Sequence, residues 1–186
     1  MKALDIFLLT ISSVMLQAQD QAKQGYFFGG AIGLSQLSLE SETYQSGNQT
    51  GLSFPNFKIG KMVSSNKALL LYLPGSLYTF DIQERDRQRG FEAILPSVQY
   101  WFSDKAWLLA SAGIAMDAPA FFDIKDETER KFYFGFGTAT AIGYEVLSFG
   151  SKTVDIQGRV HYGNINIEED NLSGVAYSIL IGFNWY

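Results

Sequence analysis

The chain has 186 residues, 14 basic and 19 acidic side chains, a formal net charge of −5 and no cysteine. Structural disulfides, thiolate metal sites and a lipid-modified cysteine are thereby excluded, and with no basic block nucleic-acid binding has no support. Hydrophobic residues make up 47% and aromatics 15%, yet beyond the first segment no apolar run reaches the roughly 18 residues of a spanning helix.

The N-terminus reads as an export signal. Lys2 supplies a basic start, Ile6 to Leu16 is an apolar stretch broken only by Thr and Ser, and Ala18 gives a small residue for cleavage. The stretch falls short of the ~20 apolar residues a retained anchor needs. Removal of residues 1–18 leaves residues 19–186 as one domain.

Alternating segments follow in order. The first, Gly25 to Leu37, puts Tyr26, Phe28, Ile32 and Leu34 on one parity and Gly29, Ala31, Gly33 and Ser35 on the other. After the polar stretch Ser38 to Thr50, the second segment, Gly51 to Val63, carries Phe57, Ile59 and Val63 outward and Asn56, Lys58 and Gly60 inward. Ser64 to Lys67 is a tight turn into the third, Ala68 to Phe80, which is apolar on both faces through Leu69 to Leu73. Asp81 to Gly90 is a second long polar stretch, and the fourth segment runs from Phe91 to Phe102.

Ser103 to Lys105 is again short, and the fifth segment, Ala106 to Met116, has no clear phase. Asp117 to Arg130 is a third long stretch. The sixth segment sets Phe132, Phe134, Phe136, Ile142, Tyr144 and Val146 against Gly135, Gly137, Ala139, Ala141, Gly143 and Glu145. Past the turn Ser148 to Lys152, the seventh opposes Val154, Ile156, Val160 and Tyr162 to Asp155, Gln157, Arg159 and His161. Asn164 to Leu172 is the fourth long stretch. The eighth, Gly174 to Tyr186, alternates Val175, Tyr177, Ile179, Ile181, Phe183 and Trp185 with small or polar residues.

Connections therefore run long, short, long, short, long, short, long. Membrane barrels have short turns at the periplasmic end and longer loops at the other, and strands of about 9–11 residues suffice to cross. The fold class expected is all-β, an eight-stranded antiparallel up-and-down transmembrane β-barrel. Aromatics at strand ends support it. Tyr26, Phe28, Tyr100, Phe102, Trp107, Tyr144, Phe149, Phe183 and Trp185 form one expected belt, and Phe54, Tyr78, Phe80, Phe91, Phe132, Phe134, Tyr162 and Tyr177 the other.

On these segments the chain resembles the small eight-stranded outer-membrane barrels of the OmpX and OmpA transmembrane-domain type. The resemblance implies a bacterial outer-membrane location, with outer-membrane lipid and the outer-membrane assembly machinery as partners. That family usually ends on Phe; here the apolar parity stops at Trp185, one residue before Tyr186.

An eight-stranded barrel has an interior that side chains fill. Lys58, Glu145, Asp155, Gln157 and Arg159 point inward by parity, and an interior polar network of charge pairs is expected, because unpaired buried charge is costly. His161 is the one histidine, and it lies on the same inward parity. One His and no Cys cannot assemble a usual transition-metal site, so no metal and no cofactor is expected.

A local resemblance bears on His161. His161-Tyr-Gly-Asn164, followed by Asn171-Leu-Ser-Gly174, is similar to the end of the PagL-like outer-membrane lipid A deacylases, serine hydrolases with a His-x-Ser-Asn motif. It implies His161 as base and Asn164 as its neighbour, the catalytic residues of an alternative lipid A-modifying hydrolase. Gly163 stands where the nucleophilic Ser belongs, and no acid follows Asp170, so little or no enzymatic activity is expected.

The long stretches hold the remaining candidates. Arg85, Arg87 and Arg89 alternate with Asp86 and Gln88, so a hairpin extension would project three arginines from one face to grip lipid phosphate or a surface ligand. Phe121 and Phe122 precede a charged run and suit recognition of a partner. The expected function is structural, or surface recognition through four extracellular loops over a packed polar interior. The alternatives are the hydrolase, a narrow channel and a soluble lipocalin-type barrel, the last opposed by the small and charged interior parities.

Overall fold

The computed structural model describes residues 23–42, 46–82, 85–120, 122, 131–167 and 170–186. The export segment read at residues 1–18 lies outside them. Alternation becomes strand throughout: β1 is Tyr26–Glu40, β2 Gly47–Ser53, β3 Asn56–Ser64, β4 Lys67–Ile82 and β5 Arg85–Trp101. β6 is Ala106–Pro119, β7 Tyr133–Phe149, β8 Lys152–Ile167 and β9 Asp170–Trp185. Pairing is antiparallel, and β9 closes on β1 from Phe28↔Trp185 to Glu40↔Ser173. The result is an up-and-down ring of eight strands, which pairs edge with edge and leaves the bilayer no open sheet.

The second segment is not one strand. It breaks at Phe54-Pro55, because proline has no N–H for the ladder. β2 pairs with β1 above the break, and β3 pairs with β1 and β4 below it. Turns at the opposite end are tight. At Gly150, φ is +62°, the left-handed backbone that a two-residue hairpin favours and glycine adopts without strain.

The outer wall is apolar: Ile32, Leu34, Ile142, Ile156, Ile179 and Ile181 are all exposed, Ile179 to 74%. A continuous band of that kind belongs in hydrocarbon. Ile179→Arg should therefore cost about 2–4 kcal/mol near the midplane. Urea unfolding in lipid vesicles would read it; a wild-type midpoint would contradict the lipid-facing position.

Three of the four long polar stretches are largely strand. β1 continues to Glu40, β4 runs to Ile82 and β5 starts at Arg85, and β8 runs to Ile167 and β9 starts at Asp170. The pattern inverts as the strands leave the lipid. On β1 the outward residues pass from Leu34 to Gln36, Ser38 and Glu40, while Leu37 and Leu39 turn in. On β8 they pass from Tyr162 to Asn164 and Asn166, with Ile165 and Ile167 inside. Above the bilayer, water lies outside the wall, so that part is built like a soluble barrel. The upper interior is an apolar cluster around Phe91, with Leu37, Tyr78, Ile165 and Leu172. The lower one surrounds Trp107, with Phe27, Tyr72, Leu95 and Trp101. The interior is thus polar only in part.

The belts need correction at the same parities. Trp107, Tyr78 and Phe91 are buried inside rather than at the interfaces. Tyr26, Phe28, Tyr100, Phe102, Tyr144, Phe149, Phe183 and Trp185 do face outward at the turn end. Tyr186 swings back under the barrel, its ring 5.2 Å from Phe27 and 5.6 Å from Trp101. The apolar outer face stops at Trp185 because the next side chain belongs to the base of the core.

Candidate functional site

The lumen is where the polar side chains converge. At its base Glu145 accepts from Trp101 Nε1 at 2.7 Å and Tyr186 Oη at 2.8 Å, and pairs with Lys23 Nζ at 3.1 Å. Lys23 lies ahead of β1, over the rings of Trp101 and Tyr186, and also donates to Asp104 O at 3.0 Å.

One step higher, Asp155 accepts from Gln157 Nε2 at 2.7 Å, Asn184 Nδ2 at 2.9 Å and Trp107 Nε1 at 3.1 Å. Small residues make that possible. A Cβ on Gly182 would lie 2.2 Å from Asp155 Oδ1, and one on Gly143 2.2 Å from the Trp107 ring. Lys58 Nζ stands 3.8 Å from the centre of the same indole and donates to Gln99 Oε1 at 3.2 Å. A buried cation over an indole face is favourable without a carboxylate.

Arg159 reaches across the lumen. Its Nη1 donates to Asn56 Oδ1 and to Tyr72 Oη at 3.3 Å. Its Nη2 donates to Ser178 Oγ at 2.8 Å, Ser53 Oγ at 2.9 Å, Gly75 O at 3.1 Å and Ser76 Oγ at 3.3 Å. Lys58, Glu145, Asp155, Gln157 and Arg159 are all buried. They are not paired with one another as ions, however. Amides, hydroxyls and indoles stand between them, so each charge is met by dipoles and only Glu145 by an opposite charge, from Lys23.

His161 is fully buried with its ring 5.0 Å from Phe91, and neither ring nitrogen has a partner. Asn164 is on the opposite parity, outside, donating to Ser173 Oγ at 2.8 Å. The barrel wall therefore separates His161 from Asn164. A Cβ at Gly163 would fall 2.7 Å from the Phe91 ring, so a serine there would collide with the upper core.

The loop candidates divide. Arg85 and Arg87 lie on β5, and Phe121 lies outside the described residues. Phe122 is exposed. Arg89 does not project from the hairpin. It is buried, its Nε donates to Asp117 Oδ2 at 3.0 Å, and its Nη2 lies 3.0 Å from the same oxygen. Tyr78 Oη donates to Asp117 Oδ1 at 2.8 Å. The reason is alternation: position 89 shares the inward parity of Phe91, whose register partner on β6 is Asp117.

Sequence reading missed Lys23, Trp107, Asn184 and Asp117 as partners. Parity was the available signal for Asn184; for Trp107 and Asp117, both on β6, the double-sided apolarity of the strand concealed the phase. Among the described residues no group of three or more His, Asp and Glu side chains is placed to hold a metal ion.

Ring closure, the apolar outer band and a filled lumen define a small eight-stranded barrel of the outer-membrane type. Solved structures of that class share the fold. Neisserial surface protein A (NspA) superposes with a TM-score of 0.59 at 13% identity, over 87% of this chain and 99% of that one. Ail, the attachment invasion locus protein of Yersinia pestis, gives 0.56 at 10% identity, with the same coverage of 87% and 99%. The sequence matches no protein-family model and no curated protein.

Proposed function

We propose that the protein is a surface-recognition barrel of a bacterial outer membrane, exported by a leader at residues 1–18, with a lumen closed to solutes. The observation that carries this is the inversion of side-chain pattern above Leu34 on β1 and Tyr162 on β8. Strands that continue past the lipid, with a core of their own, build a rigid platform rather than a slack rim, and rigid platforms hold a binding surface at low entropic cost. The interior column from Glu145 to Arg159 favours this reading over a narrow channel, since its charges are fixed by short hydrogen bonds. The surface reading also needs no chemistry from His161.

Two measurements test it together. The barrel in planar bilayers should carry no steady single-channel current. Cells displaying it should lose attachment to the surfaces they bind when residues 164–173 are cut to a tight turn, while heat-modifiable gel mobility stays that of a folded barrel. A steady, sizeable current, or attachment indifferent to the shortened hairpin, would overturn the proposal.

A further inference from the structure

Along the whole of β2 the backbone ladder is missing on one side of the wall. Among the described residues β2 pairs with β1 alone, so it faces the upper part of β4 across a seam. Side chains close that seam. Gln49 Nε2 donates to Thr79 O and Gln49 Oε1 accepts from Thr79 N, both at 2.8 Å. Ser53 Oγ donates to Gly75 O at 3.1 Å. A third closure comes from across the lumen, where Arg159 Nη2 holds one acceptor on each lip, Ser53 Oγ and Gly75 O.

Arg159 keeps unusual company for a buried cation. Its hydrogen-bond acceptors are the neutral oxygens of Asn56, Tyr72, Ser53, Gly75, Ser76 and Ser178. Among the described residues the lower lumen, with Lys23 at its base, sets Lys23, Lys58 and Arg159 against Glu145 and Asp155, an excess of one cation. Buried charge is normally matched. Further donors beside it are unused: Arg159 Nε and Ser35 Oγ are buried without partners, and so are both ring nitrogens of His161, one of which carries the N–H of a neutral imidazole. Arg159 and His161 are successive inward positions of β8, and Ser178 pairs with both Arg159 and Ser35.

The height of the seam matters as much as its chemistry. In the row of Ser35 and Gly51 the outward residues change from Leu34 to Gln36 on β1 and from Leu52 to Thr50 on β2. That is the outer interface, where the polar heads of leaflet amphiphiles lie.

We propose that the seam is a side entrance for the carboxylate head of a single-chain amphiphile, a long-chain fatty acid, in the outer leaflet. The head takes the place of Ser53 and Gly75 on Arg159, and the chain stays in the bilayer against the outward Leu52 and Phe57. A carboxylate supplies the missing charge, fits a guanidinium edge with two parallel hydrogen bonds, and accepts from Ser35 or His161. Arg159 is both receptor and clasp, so binding and opening are one event.

The test uses the whole protein in phosphatidylcholine nanodiscs with radiolabelled palmitate. Saturable binding of one palmitate per barrel is expected, weakened about tenfold or more in Arg159→Gln, the size of a lost charged hydrogen bond. A Gln49→Cys/Thr79→Cys pair joined by a short cleavable thiol cross-linker should abolish binding, and cleavage should restore it; the chain has no other cysteine to react. The cross-linked pair retains Arg159, so it decides the matter even if Arg159→Gln does not assemble. Absence of saturable binding, binding unaffected by the cross-link, or acetate competing as well as palmitate would overturn the proposal, the last by assigning the site to small carboxylates from solution.

Discussion

Asp117→Ala is expected to destabilise the barrel by about 3–5 kcal/mol, the usual effect of stripping a buried charge of its partner. Arg89 would remain buried beside β6 with the Asp117 carboxylate gone, its Nη2 still donating to Lys131 O at 3.0 Å. The hydrogen bond from Tyr78 Oη to Asp117 would be lost as well. The loss falls on the part of the barrel above the lipid, where the upper apolar cluster packs against the same strands. Urea unfolding in vesicles should show a lower midpoint for the single variant, with most of the loss recovered in Arg89→Met/Asp117→Leu, since an apolar pair of similar volume often replaces a buried ion pair at little cost. Equal destabilisation of single and double variants would mean that shape, not charge, holds this corner.

Trp107→Ala should be comparably severe, about 3–5 kcal/mol, the range for removing a buried large aromatic. The indole is fully buried and serves three neighbours at once. It fills the lower core, donates to Asp155, and offers its face to Lys58 at 3.8 Å. Trp107→Phe keeps most of the volume and a weaker π face but no N–H. It should recover more than half of the stability lost in Trp107→Ala if packing dominates, and little of it if the Asp155 hydrogen bond does. Tryptophan fluorescence combined with denaturant unfolding would separate the two.

The fold was legible because lipid imposes a phase on each strand. Where one face met hydrocarbon and the other met small or charged residues, as on the membrane-level parts of β7 and β8, alternation alone separated inward from outward side chains. It failed on β4 and β6. Leu70 and Leu109 are inside and Leu69 and Leu108 outside, because the lower lumen has its own apolar core and wants the same residue types as the lipid.

The site was legible in membership but not in wiring. Parity placed Lys58, Glu145, Asp155, Gln157 and Arg159 on the inner face of their strands. It could not say that they would be joined through Trp101, Trp107 and Tyr186, since those contacts run across the ring between strands distant in sequence. Arg89 shows the opposite error. Its charge and its polar neighbours read as a projecting hairpin extension, but Arg89 lies on β5 and its side chain turns inward to Asp117.

The inversion along β1 and β8 has a consequence for how such a chain carries information. Lipid-facing isoleucines below are balanced by lumen-facing polar groups, and outward asparagines above by inward leucines and isoleucines. Mean hydropathy is accordingly +0.01, the value of a chain with no marked preference for either solvent. Amplitude says almost nothing about this protein. Its address is written in phase, in which of two alternating registers carries the apolar residues, and in the point along each strand at which that register slips.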